Sequence, residues 1–192
     1  MQKMTKDIKV VFLDIDGVLQ PPDRQERFKH IREIADLYQK LTAEFGVDYY
    51  QYDKYDVAAV YYDWDKESVS ELKRILDTTK AKIVISSDWK KFAGMKRVVD
   101  FLRIHGLADY VIGVTPDYDT DPQVEQCLVQ QKVFESRAAE ILVYLARHPE
   151  ITRYVALDDI NLVPYLGDNA VVTRSKMYKK HADRCIELLG LE

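Results

Sequence analysis

Lys9-Val10-Val11-Phe12-Leu13-Asp14-Ile15-Asp16-Gly17-Val18-Leu19 is the stretch on which the fold turns. Four successive apolar residues, two of them β-branched, suit a strand covered on both faces, as strands of parallel sheets are. The run ends in two carboxylates two residues apart. Period-2 geometry points both to the same side of an extended backbone, so they can address one spot. Gly17 then lets the chain leave the strand through dihedrals that side chains resist. Paired carboxylates repel unless a cation or a raised pKa relieves them.

The same grammar recurs twice. Lys82-Ile83-Val84-Ile85 runs into Ser86-Ser87-Asp88-Trp89, and Tyr154-Val155-Ala156-Leu157 runs into Asp158-Asp159. Amphipathic segments lie between these runs. Arg24 to Phe45 has helical spacing, with Phe28, Ile31, Ile34, Leu37, Tyr38 and Leu41 on one face. Lys66 to Asp77, Met95 to His105, Val133 to Arg147 (with Phe134, Ala138, Ile141, Leu142 and Leu145 aligned) and Ala182 to Leu189 read the same way. Further strands are expected at Val111 to Thr115 and Val171 to Thr173. Strands alternating with helices give an α/β class with a mainly parallel central sheet and helices on both faces. In such sheets the carboxyl ends of the strands share one edge, where ligands bind. One domain is expected over residues 1–192, with a small cap-like insert at about 20–65.

With 47% hydrophobic residues and a net charge of −4, the 192-residue chain suits one buried core. It lacks the basic bias of a general nucleic-acid binder, so no stable nucleic-acid binding is expected. Cys127 and Cys185 make no metal-binding or disulfide pattern and read as buried hydrophobes. No apolar run approaches the roughly 18 residues of a membrane span, and Met1 to Asp7 lacks the apolar core of a leader. A cytoplasmic protein with no membrane partner is the expectation.

Four carboxylates on one sheet edge call for a cation, and hard oxygen donors suit Mg²⁺. A carboxylate can also serve as a covalent nucleophile. Ser86, at a strand end just before an expected helix, stands where its hydroxyl can meet a phosphate, with backbone amides at the start of that helix beside it. A cation near the start of the helix before the last Asp pair would complete the charge balance; Arg137 and Lys132 both qualify.

The order Asp14-x-Asp16-Gly17-Val18-Leu19, strand plus Ser86, basic residue, strand plus Asp158-Asp159 resembles the haloacid dehalogenase (HAD) superfamily over roughly residues 8 to 190. More narrowly, Ile83 to Lys90, Arg137-x-x-Glu140-Ile141 and Val155 to Asp159 are similar to the HAD domain of Swiss Army Knife RNA repair proteins. The resemblance implies a Rossmann-like HAD fold and a Mg²⁺-dependent phosphomonoester hydrolase with an aspartyl-phosphate intermediate. Asp14 would be nucleophile, Asp16 general acid and base, Ser86 a phosphoryl ligand and Arg137 the neutralising cation. The third motif is most often Lys, so Arg137 is a departure and Lys132 stays open. Asp14, Asp16 (through its backbone carbonyl), Asp158 and Asp159 would hold the metal. Ser87, Trp89 and Lys90 would line the substrate, with plain packing as the alternative for Trp89.

Alternatives are a HAD-fold binding protein without turnover and a phospho-Asp signalling domain. The substrate class stays broad: a phosphorylated small molecule, a nucleotide or a nucleic-acid end. The aromatic stretch Tyr49, Tyr50, Tyr52, Tyr55, Tyr61, Tyr62 and Trp64 can stack on bases or simply pack the insert.

Overall fold

The computed structural model describes residues 7–91, 94–130, 132–133 and 135–191. The leader reading of Met1 to Lys6 and the inward face assigned to Phe134 lie outside the described residues. Five strands form one sheet: β1 (Ile8–Leu13), β2 (Lys82–Ile85), β3 (Val111–Val114), β4 (Ile151–Asp158) and β5 (Ala170–Val172). Their order is β3-β2-β1-β4-β5, and every pair is parallel.

Alternation along the strands divides the core in two. Val11, Leu13, Ile83, Ile85, Val155 and Leu157 face one side. There they meet α4 (Lys66–Thr79), α5 (Gly94–Ile104) and α9 (Lys179–Leu189) through Leu72, Ile75, Phe101 and Cys185. Val10, Phe12, Val84 and Ala156 face the other side, covered by α6 (Pro122–Gln130), α7 (Ser136–Arg147) and the short α8 (Val163–Leu166). Each fully buried side chain of this kind contributes about 1.5–3 kcal/mol by leaving water. That two-sided burial is why the strands read as continuous apolar runs. Both cysteines are free and buried, and burial pushes the Cys185 thiol up to about 12.

The insert departs from the expected single helix. Arg24 to Phe45 divides into α1 (Arg27–His30), a 3₁₀ turn at Ile31–Glu33 and α2 (Ile34–Phe45). The cause lies at both ends. Buried Asp63 accepts from the Arg27 backbone N–H at 3.0 Å and from its guanidinium at 2.7 Å, which pins α1. α2 instead follows the core through Leu37, Tyr38 and Leu41. Phe28 is thereby left outside the core. After α3 (Lys54–Ala58) comes a π-helical turn, Ala59–Asp63, which explains why this stretch showed no clear period.

Most of the insert's tyrosines pack. Tyr49 is fully buried and donates to the Asp100 carbonyl at 2.8 Å. Tyr52 donates to the Asp100 carboxylate at 2.6 Å and meets Phe101 edge-on. These contacts bind the insert to α5. Pro122 opens α6, with Asp121 accepting from the Gln123 N–H at 3.0 Å. Asp121 also pairs with Arg147 on α7.

Candidate active site

The parallel ladder runs one residue past the strands, and this aligns the site. Asp14 N–H donates to the Leu157 carbonyl and Ser86 N–H to that of Leu13, both at 3.0 Å. Thr115 N–H reaches the Ile85 carbonyl at 2.9 Å. Since Leu13 is level with Ile85 and Leu157, Asp14 stands between Ser86 and Asp158 at the carboxyl edge of the sheet. Thr115 extends the row beyond Ser86.

Arg137 lies in the first turn of α7, where its N–H donates to the Glu135 carboxylate at 3.2 Å. Its Nη1 is 3.0 Å from Asp14 Oδ1 and 3.1 Å from Asp158 Oδ2, while Nη2 is 3.6 Å from Asp88 Oδ1. Burial works against the guanidinium's charge, but Asp14 and then Asp158 outweigh it and raise its pKa. Lys132, the other candidate, is exposed and has a left-handed backbone, φ 54°.

The carboxylates nevertheless stay under strain. Burial first, and Asp14 second, raise the pKa of Asp158 and of Asp159. Arg137 relieves both only in part. The two directions are compatible because one guanidinium is shared among several acids. Asp14, Asp158 and Asp159 each offer an oxygen within 4.8 Å of the others. Such a set of hard oxygen donors, short of positive charge, fits Mg²⁺.

Asp16 differs from this group. Its Oδ2 accepts from the Trp89 indole N–H at 2.8 Å, so its carboxylate stands beside the three rather than among them. It is exposed to a cleft, yet the surrounding protein strips part of its hydration and raises its pKa. The Trp89 bond opposes that rise; Asp14 and Asp159 add to it. Gly17, at φ 69°, turns the chain directly under Asp159. A Cβ there would lie 2.6 Å from the Asp159 side chain, so glycine is required by backbone and by space.

The Ser86 hydroxyl is buried and has no hydrogen-bond partner among the described residues. Ser87 accepts from the Trp89 N–H at 3.5 Å and starts the 3₁₀ turn Asp88–Lys90. Lys90 is 5% exposed, and its ammonium is taken up by Glu140 and, at 2.7 Å, by Thr115. Burial lowers its pKa in spite of Glu140. Glu140 further accepts from the Tyr118 N–H at 3.1 Å. Thus Asp14, Asp158, Asp159, Ser86 and Arg137 come together, with Asp16 and Trp89 adjoining. Lys90 instead lies in a buried pair behind them. Thr115 and Glu140 were not singled out as site residues beforehand, although Thr115 repeats the pattern of a polar residue ending an apolar strand.

A cleft of about 750 Å³ opens above Asp16. Asp88 and Trp89 line it from the sheet edge; Arg27, Phe28, Tyr55 and Asp56 line it from the insert.

A parallel sheet with this strand order and an acidic cluster at its carboxyl edge defines a protein of the Rossmann-like HAD fold. The family model for the HAD domain in Swiss Army Knife RNA repair proteins matches residues 10–184, and the chain belongs to that family. No curated protein and no solved structure matches it. The family supports hydrolase or phosphatase-type chemistry in general, on phosphorylated substrates. Among the described residues no helix is long and apolar enough to cross a membrane.

Proposed function

We propose that the chain is a Mg²⁺-dependent phosphomonoester hydrolase working through an aspartyl-phosphate at Asp14. The observation that carries this reading is the row Ser86–Asp14–Asp158. An unpartnered buried hydroxyl and a carboxylate stand side by side there, and Arg137 bridges that carboxylate to the next. A serine hydroxyl left buried and unbonded costs about 1–3 kcal/mol, a cost that a phosphoryl oxygen accepting its hydrogen would remove.

Asp14 attacks phosphorus, forming an O–P bond as the ester O–P bond breaks. Asp16 gives its proton to the departing alkoxide. It then takes a proton from water, which attacks the aspartyl-phosphate and frees phosphate and Asp14. Ser86 donates its hydroxyl hydrogen to a phosphoryl oxygen, and Arg137 balances the charge that builds on the phosphoryl group. Asp14, Asp158 and Asp159, with the Asp16 backbone carbonyl, would hold Mg²⁺, which supplies further neutralisation of the phosphate. The insert serves as a small cap over this edge. The family description points to nucleotides or nucleic-acid ends among the candidate substrates.

Release of inorganic phosphate from simple phosphomonoesters should require Mg²⁺ and stop on chelation. Asp14→Asn is nearly isosteric and should abolish it while preserving the circular dichroism of the wild type. Equal turnover by the two proteins would refute the mechanism.

A further inference from the structure

The backbone of Asp16 is fixed, but that alone does not fix its side chain. The Gly17 N–H donates to the Gln20 carbonyl at 2.8 Å and the Gln20 N–H to the Ile15 carbonyl at 3.0 Å, which closes a tight loop around it. The residue is exposed, and an exposed carboxylate ordinarily samples several rotamers. Here the Trp89 indole holds it. Nε1–H donates to Oδ2 at 2.8 Å, and among the described residues it is the one hydrogen-bond donor to that carboxylate.

Trp89 is held in turn, through its ring and through its backbone. The ring meets Trp64 of the insert at a centroid distance of 6.2 Å and Phe101 of α5 at 5.9 Å, both edge-on. Arg97, also on α5, donates from Nη2 to the Trp89 carbonyl and from Nη1 to Asp56 of α3, each at 3.0 Å. Three hydrogen bonds in series thus join the insert to the proton donor: Asp56 with Arg97, Arg97 with Trp89, and Trp89 with Asp16. Packing of an indole does not by itself create such a bond, for Trp64 is buried with its own N–H unpartnered among the described residues. A plain phenyl ring could make the same edge-on contacts as Trp89; only the indole adds a donor.

This step rests on the phosphatase reading, in which Asp16 protonates the departing alkoxide. An indole N–H can only donate, so Oδ2 is kept as an acceptor and Oδ1 is left to carry the proton. We propose that Trp89 is a positioning residue for this transfer, its indole N–H orienting the Asp16 carboxyl, and that Arg97 and Asp56 make this hold depend on the insert. As Asp14 bonds to phosphorus and the ester P–O bond breaks, the proton on Oδ1 passes to the departing oxygen. The charge left on Asp16 is shared with Oδ2, where the indole N–H receives it. Water later returns a proton to Oδ1 as its oxygen attacks the phosphorus of the aspartyl-phosphate, freeing phosphate and Asp14. The insert is then more than a cover, because it helps to aim the acid.

The test compares kcat/KM for p-nitrophenyl phosphate with that for glycerol 2-phosphate. This constant covers only the steps up to release of the alcohol, so the later return of the proton does not enter it. Proton donation helps an alkoxide far more than a nitrophenoxide, and general-acid help is typically worth about 10²–10⁴-fold. Trp89→Phe should therefore lower kcat/KM about tenfold more for the alkyl ester than for the aryl ester. Arg97→Met keeps the aliphatic stem and should move the same ratio in the same direction, several-fold. In an Asp16→Asn background, which has no proton to give, Trp89→Phe should leave the ratio unchanged. A merely structural role would lower both esters together. An unchanged ratio in Trp89→Phe or in Arg97→Met, or the full effect persisting in Asp16→Asn, overturns the proposal. The chain has two tryptophans, so their indole N–H signals in a ¹⁵N NMR spectrum give a second readout that needs no turnover. Asp16→Asn should shift one signal and leave the other in place. Two unmoved signals overturn the hold on Asp16, also where Trp89→Phe does not fold. Hydrolysis of neither ester by the wild type would instead refute the phosphatase reading, and the indole signals would then judge the Trp89–Asp16 bond on its own.

Discussion

Arg137 shows how a single residue can be legible in type and ambiguous in place. From the chain alone, a cation near the start of the last helix before Asp158 could be Arg137 or Lys132. A helix start fixes neither side chain's direction. The three-residue step from Arg137 to Glu140 settles the geometry: both are buried on the inner side of α7, Arg137 toward Asp14 and Glu140 toward Lys90. Contacts such as Lys90 with Glu140, or Trp89 with Asp16, join residues 50 and 73 positions apart, and no local pattern encodes them. The Lys90–Glu140 pair yields a prediction. Breaking a buried pair strands the remaining charge, typically at about 3–5 kcal/mol. Glu140→Gln should therefore lower the urea midpoint markedly. Lys90→Met combined with Glu140→Gln should recover much of the loss, because no buried charge is left alone. Additive losses in the double variant would show that the two residues are not coupled.

At the scale of elements, the strands with their terminal residues were readable because each site residue directly follows its own apolar run. Parallel pairing then makes the alignment of Asp14, Ser86 and Asp158 almost automatic. The insert was not readable in the same way. Its breaks come from Asp63 capturing Arg27 and from a π-helical turn, both set by tertiary contacts. The turn after β1 is the element on which the site depends most. Gly17→Ala introduces a side chain at positive φ and places it against Asp159. Strain of this kind costs about 1–3 kcal/mol before the clash is counted. The variant should melt earlier than wild type and lose phosphatase activity by a larger factor than its folded fraction explains. A full-rate Gly17→Ala enzyme would mean that Asp159 can move away without consequence for the site.

At the scale of the whole molecule, the carboxyl edge carries four acids, Asp14, Asp16, Asp158 and Asp159, around one buried guanidinium. Folding therefore buries and crowds these carboxylates: burial first, and the neighbouring acids after it, raise the pKa values of Asp16, Asp158 and Asp159. A raised carboxylate pKa means that the native state holds more protons than the unfolded one between the two pKa values. Its penalty is present at neutral pH and is lifted as pH falls through the folded value toward the unfolded one. A cation that binds only the folded cluster should lift the same penalty at neutral pH. At a concentration 100 times its dissociation constant, such a ligand adds about 2.7 kcal/mol. For a domain of this size that corresponds to a rise in Tm of roughly 5–10 °C. Calorimetry at pH 7.5 with MgCl₂, against NaCl of equal ionic strength and against EDTA, should give this rise with Mg²⁺ alone. Asp159→Asn removes one exposed donor from the cluster and should cut the rise to a small fraction. A Tm that ignores Mg²⁺, or an equal rise in Asp159→Asn, would mean that the acids do not hold the ion as a group.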